Sequence, residues 1–170
     1  QFLSTGTNRR TDAYGGSVAN RIRFVVEVLA AMAAEAGADR ASMRICPGNP
    51  FNDLEDADPR QTFAALLDAT RPMGLAYLHV IRSPLRDLDA FALAREHFQG
   101  PLILNDGFDA ASAEQAIASG HAAAVSFGRA YIANPDLVRR MREGLALADF
   151  NSHALYTPGP KGYTDYPPAP

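Results

Sequence analysis

Short apolar runs that read as strands are separated along this chain, each time, by a segment of helical period, and this strict alternation constrains the fold more than any other feature. Ser17 can cap a helix, and Val18, Ile22, Val25, Val26, Leu29, Met32 and Ala33 follow it at spacings of three and four, forming one apolar stripe. Gly37 is a natural stop, and a strand over 41–46 is closed by Pro47-Gly48. Asp58-Pro59 opens a second helix over 60–70, ended by Pro72 and Gly74, before a strand over 75–81. A helix over 88–98 precedes the apolar run 102–104, and the turn Asn105-Asp106-Gly107 leads into a helix over 110–119. A fourth strand, 122–127, ends at Gly128. A last helix follows Pro135, with Leu137, Val138, Met141 and Leu145 on one face.

Repeated strand-helix units require a parallel sheet with right-handed crossovers. The strands are short and nearly all apolar, as expected when helices cover one face and packed side chains the other. Four such strands are half of a TIM (β/α)8 barrel. Opening a barrel exposes two sheet edges and its interior, so this reading calls for a partner: an N-terminal half, or a second copy of the chain. The pattern alone also allows a complete small open-sheet α/β domain, covered by the proline- and glycine-rich tail that follows Gly144.

The length of 170 residues fits one domain over 1–170 with a sizeable core. A net charge of −3 argues against a dedicated nucleic-acid or anionic-membrane surface. No apolar run approaches the roughly 20 residues that span a bilayer. The single cysteine, Cys46, permits no internal disulfide and fits a reducing cytoplasm. The chain opens on Gln1 rather than Met, as a trimmed protein or a piece of a longer one does.

Two turns near the C-terminus carry the sharpest chemical signal. Asn105-Asp106-Gly107-Phe108 follows the third strand, and Phe127-Gly128-Arg129 follows the fourth. A phosphate needs N–H donors that approach closely, which glycine permits, and gains from a helix dipole and an arginine fork. Gly107, Gly128 and Arg129 suit that role; equally, the glycines could simply end strands and Arg129 lie on the surface. Arg44 sits inside an apolar strand, where a buried guanidinium is costly unless paired. It either meets a carboxylate in the core or faces a polar ligand. His79 reads as a core histidine, Cys46 as a small packed hydrophobe, and Asp53 and Glu55 as solvated loop acids. His97, His121 and His153 read as solvated. No spacing suggests a metal site.

The stretch NRRTDAYGGSVANRIRF, from Asn8 to Phe24, is long and unusual, and it resembles the segment following the fourth barrel strand of Old Yellow Enzymes. In order, MRICP resembles that family's fifth strand, YLHV its sixth, LILNDGF its seventh, FGRAYIANPDL its eighth with the following helix, and GYTDYP its C-terminal signature. The resemblance covers essentially the whole chain and favours the half barrel over the open sheet.

It implies the C-terminal half, strands five to eight, of an FMN-dependent ene-reductase that reduces activated C=C bonds with NAD(P)H. Arg44 matches the arginine beside the pyrimidine side of the flavin. Asn105, Asp106, Gly107, Gly128 and Arg129 match the phosphate-binding turns, and Tyr156 matches an aromatic residue lining the substrate pocket. Asp106 departs from the pattern, since many members have glycine there. The family's proton donor and substrate-holding pair belong to the first half of its barrel, so no catalytic residue is expected in this chain. It is expected to be inactive without that half. Two other readings are a non-catalytic half barrel that self-associates or binds a phosphorylated ligand, and a flavin-independent phosphate-binding barrel such as an isomerase.

Overall fold

The computed structural model describes all of residues 1–170. An irregular segment leads into α1 (Val18–Ala36), followed by β1 (Ser42–Ile45), α2 (Pro59–Thr70), β2 (Tyr77–Ile81), α3 (Ala90–His97), β3 (Leu102–Asn105), α4 (Ala110–Ala118) and β4 (Ala124–Ser126). Two short helices, α5 (Arg129–Ala133) and α6 (Leu137–Glu143), precede a mostly irregular tail. The helix starts carry the caps that their sequences call for. Ser17 accepts a hydrogen bond from the Asn20 N–H, and Asp58, with Pro59 in the first turn, accepts one from Gln61. No helix is long and apolar enough to cross a membrane.

The four strands form one parallel sheet in the order β1-β2-β3-β4, with Arg44 opposite His79, Val80 opposite Leu104, and Asn105 opposite Ser126. Alternation along the strands gives the sheet two unlike faces. Leu78, Val80, Leu102 and Leu104 are buried against Leu29 of α1, Leu67 of α2, and Phe91 and Ala94 of α3. Each such fully buried leucine or valine stabilises the fold by about 1.5–3 kcal/mol. The opposite face carries Arg44, His79, Ile81, Ile103, Asn105 and Ser126, none of them fully buried. Packed side chains on both faces were expected; only one face is packed. β1 and β4 each have a single strand neighbour, so both edges of the sheet are open.

This leaves a chain with a large surface for its mass. Its accessible area is 10267 Å², and only 31 of its 170 residues are buried. A compact monomer of 18.2 kDa exposes about 8,100 Å². The excess of roughly 2,000 Å² is the size of a protein–protein interface.

Two buried arginines tie the irregular segments down. Arg21 of α1 donates to the carbonyls of Leu3 and Gly16, each at 2.7 Å, and to the Thr62 hydroxyl at 2.9 Å. It also forms a buried ion pair with Asp56 at 3.5 Å, although neither Asp56 oxygen accepts a hydrogen bond. Arg140 of α6 binds Asp136 at 2.8 Å and the carbonyls of Ala146 at 2.8 Å and Pro167 at 3.1 Å, holding the tail.

The C-terminal region differs from its sequence reading. Helical sequence was expected to follow Arg129 and forms there as α5, but it breaks at Asn134, the residue before Pro135, so that α5 and α6 are separate. The buried Asn134 amide then bonds the carbonyls of Ala130 and Ala148 and the Ala148 N–H. Val138, expected on the buried face, is 54% exposed, and Met32 of the α1 stripe is exposed as well.

Replacing Arg21 with Met should lower unfolding stability by about 3 kcal/mol, because it removes the donor to the Leu3 and Gly16 carbonyls and the Thr62 hydroxyl and leaves the buried Asp56 carboxylate without its counter-charge. Urea denaturation should resolve the loss, with the exposed Arg9→Met near wild type. An unchanged midpoint for Arg21→Met would show that the guanidinium is not holding these segments.

Candidate functional site

A cleft of about 790 Å³ lies along the carboxyl ends of the strands. Arg44, Asn105, Asp106, Gly107, Gly128, Arg129 and Tyr156, scattered over the sequence, all line it. Parallel strands place their βα turns at one end of the sheet, so residues at four strand ends converge without contact in sequence.

The two turns are shaped by their backbones. Asp106 and Gly107 are both left-handed, at φ 76° and 73°. At Gly107 a side-chain carbon would come within 2.9 Å of Arg82 Nε, so conformation favours glycine and any larger residue would have to displace the Arg82 side chain. At Gly128 the space is open, with nothing within 4 Å. The backbone N–H groups of Gly107 and Gly128 meet no acceptor within the chain. The helix termini contribute less than expected. α5 is only five residues long, less than one and a half turns, and α4 is already capped by Asp109, whose carboxylate accepts from the Ser112 N–H at 2.8 Å. The Ser112 hydroxyl, which also bonds Asp109, holds that carboxyl below the usual carboxylate range.

Four charged side chains line the cleft: Arg44, Arg82, Arg129 and Asp106. Arg129 donates to Asp106 Oδ1 at 2.6 Å. Arg82 donates to the Asp106 carbonyl at 3.1 Å, and its guanidinium lies 4.8 and 5.2 Å from the rings of Phe91 and Phe108. Sequence reading passed over Arg82. Its strand-end position was visible, but nothing in the sequence marked the two aromatic rings that receive it.

Arg44 is neither buried nor paired with a carboxylate. It lies exposed on the open face of the sheet, donating to Asn105 Oδ1 at 3.2 Å and approaching His79 Nδ1 at 3.5 Å. His79 is not a core residue either, but sits half-buried on that same face, with Nε2 at 2.8 Å from Ser126 Oγ. A guanidinium can only donate, so Nδ1 is the acceptor and Nε2–H donates to Ser126. The Asn105 amide donates to the Ser126 carbonyl at 2.9 Å and its hydroxyl at 3.0 Å. A polar row thus crosses all four strands. Ser126 was also missed; its alternation with the apolar Val125 and Phe127 was the available signal.

The remaining positions are quieter. Tyr156 stands at the cleft rim, 93% exposed, with a left-handed backbone. Cys46 is half-buried and burial pushes its thiol upward, consistent with a packed small side chain. Asp53 and Glu55 are exposed, whereas His97, read as solvated, bonds Asp68 at 3.0 Å.

Comparison with known proteins gives concordant matches. The model of the NADH:flavin oxidoreductase / NADH oxidase family matches residues 1–148. A probable flavin mononucleotide-dependent alkene reductase of Leishmania infantum is 42% identical over 171 residues, covering 98% of this chain and 46% of that protein. The old yellow enzyme from Trypanosoma cruzi superposes with a TM-score of 0.91 at 31% identity, over 98% of this chain and 46% of that one. Morphinone reductase superposes with a TM-score of 0.88 at 40% identity, over 99% and 46%. The chain spans about half the length of the curated relatives it matches.

Burial, and secondarily the Arg44 charge, lowers the His79 pKa below its ordinary value. The stability this contributes is complete above the ordinary histidine pKa and is lost as pH falls through the lowered, folded-state value. NMR titration should find the His79 midpoint depressed. Arg44→Gln should recover only part of the depression, since burial is the larger cause. Full recovery in that variant would reverse the ranking of the two causes.

Proposed function

The chain belongs to the NADH:flavin oxidoreductase / NADH oxidase family, and from that premise we propose that residues 1–170 are the C-terminal half, strands five to eight, of an FMN-dependent ene-reductase barrel. The observation that carries the proposal is the cleft at the strand ends. It joins two N–H groups without acceptors, at Gly107 and Gly128, to three arginines and a single carboxylate. A net charge of two positive units around unused N–H donors suits a phosphate dianion.

In this reading, the phosphate is held by the Gly107 and Gly128 turns and by Arg129, with Asn105 and Asp106 shaping the first turn. Arg44 serves the ring. Its guanidinium is oriented by Asn105 and supplies fixed positive charge that favours negative charge on a neighbouring ligand. His79, kept neutral, adds no second charge. Tyr156 at the rim contributes to the substrate pocket. The chemistry that FMN supplies when bound is two-electron transfer from NAD(P)H to an activated C=C bond. Groups that hold the substrate and deliver its proton belong to the other half of the barrel.

The open edges, the unpacked face and the excess surface all support a partner. So does an apolar groove of about 420 Å³ beside β1, lined by Val25, Met43, Ile45, Phe63 and Leu66. We assign this surface to the N-terminal half of the barrel. A second copy of the chain, forming a non-catalytic assembly, is the alternative occupant, and the same exposed surface would suit it.

Mixing the chain with the N-terminal half should restore visible flavin absorbance and NAD(P)H-dependent reduction of cyclohexenone. Arg129→Gln should weaken FMN binding about tenfold in that assembly, as loss of a charge-assisted bond predicts. A stable homodimer that turns over alone, or that ignores the N-terminal half, would overturn the half-barrel assignment.

A further inference from the structure

We propose that Asp106 is an internal competitor for the anion that this cleft takes, so that a phosphate is bound by exchange, with the Arg129 guanidinium leaving the Asp106 carboxylate for the ligand. The inference rests on the phosphate-site reading above and specifies how that site is controlled.

Asp106 sits in the same turn as the Gly107 N–H, and its Oδ1 accepts from Arg129 at 2.6 Å. The guanidinium that completes the anion site is therefore already engaged, by a carboxylate of the site itself. A dianion that reaches both the Gly107 N–H and Arg129 must lie next to that carboxylate, which repels it and competes for the same donor. The two partners are not equally free to move. Asp106 is braced through its backbone. Its carbonyl accepts from Arg82 at 3.1 Å, and Arg82 is held by Phe91 and Phe108, whose rings are stacked 5.7 Å apart. Arg129 has no comparable brace. Its side chain is 65% exposed, Asp106 is its hydrogen-bond acceptor, and the space at the preceding Gly128 is open. The exchange is thus a swing of Arg129, while the turn stays in place.

The cost of the exchange falls on anionic ligands alone. A dianionic phosphate monoester outbids a carboxylate for a guanidinium, whereas a neutral ligand gives Arg129 no reason to leave Asp106.

Asn at this position keeps the shape and suits the left-handed backbone, so D106N removes the charge alone, and D106G checks that result without any side chain. Affinities for FMN and riboflavin should be measured by flavin fluorescence in the flavin-binding assembly, with inorganic phosphate as a competitor. Wild type should prefer FMN. D106N and D106G should bind FMN and inorganic phosphate roughly three- to tenfold more tightly at neutral pH, with riboflavin unchanged, and the gain should shrink with added salt. Unchanged FMN affinity in both variants overturns the competitor while leaving the phosphate site intact. Weaker FMN binding in both also overturns it, by showing that Asp106 orients Arg129 for the ligand. Equal affinities for FMN and riboflavin in wild type and variants alike overturn the phosphate-site reading and the competitor with it.

Discussion

A parallel sheet has two faces to cover, and in this chain the helices cover one. Most of what is distinctive in the molecule follows from that constraint. The covered face is an ordinary aliphatic core, built on Leu78, Val80, Leu102 and Leu104. On the uncovered face the same strands alternate to Arg44, His79, Asn105 and Ser126, which satisfy one another across the sheet through hydrogen bonds. A row of polar groups can stand on a sheet only where it meets ligand, water or another polar surface. The open face is therefore both where the polar groups are gathered and where no helix packs, and the two facts have one cause.

The irregular parts are stabilised in a different way. Residues 1–16 and the tail have little periodic structure, and in each a buried arginine bonds two backbone carbonyls. Arg21 serves the first and Arg140 the second. A guanidinium is suited to this, because its planar set of donors can satisfy several separated acceptors from one side chain. Both arginines sit on helices, so loop positions are set by rigid elements. The anion turns use the same device. Arg82, packed against two aromatic rings, holds the Asp106 carbonyl.

The sequence made the strands, their order and the caps legible because each depends on local chemistry: alternation, a glycine stop, an aspartate before a proline. The four strands and the helices between them lie where that chemistry puts them, within a few residues. Convergence of Arg44 with Asn105 was less accessible. It depends on register between strands far apart in sequence, and an arginine in an apolar run looks the same whether it faces a core or an open surface. His79 was misread for that reason. Arg82 was invisible because its value comes from Phe91 and Phe108, which no local pattern connects to it. The break at Asn134 was a local signal underweighted, since the proline after it was read as a start and not also as an end.

The strand order has a further consequence, for how the molecule comes to be made. Each strand pairs with the one synthesised just before it, and none has to wait for a later segment to fill a place inside the sheet. The sheet can therefore grow by addition at one edge as the chain leaves the ribosome, with every new strand-helix unit docking on a template already formed. Such growth leaves the edge of the last strand as open as each edge that preceded it.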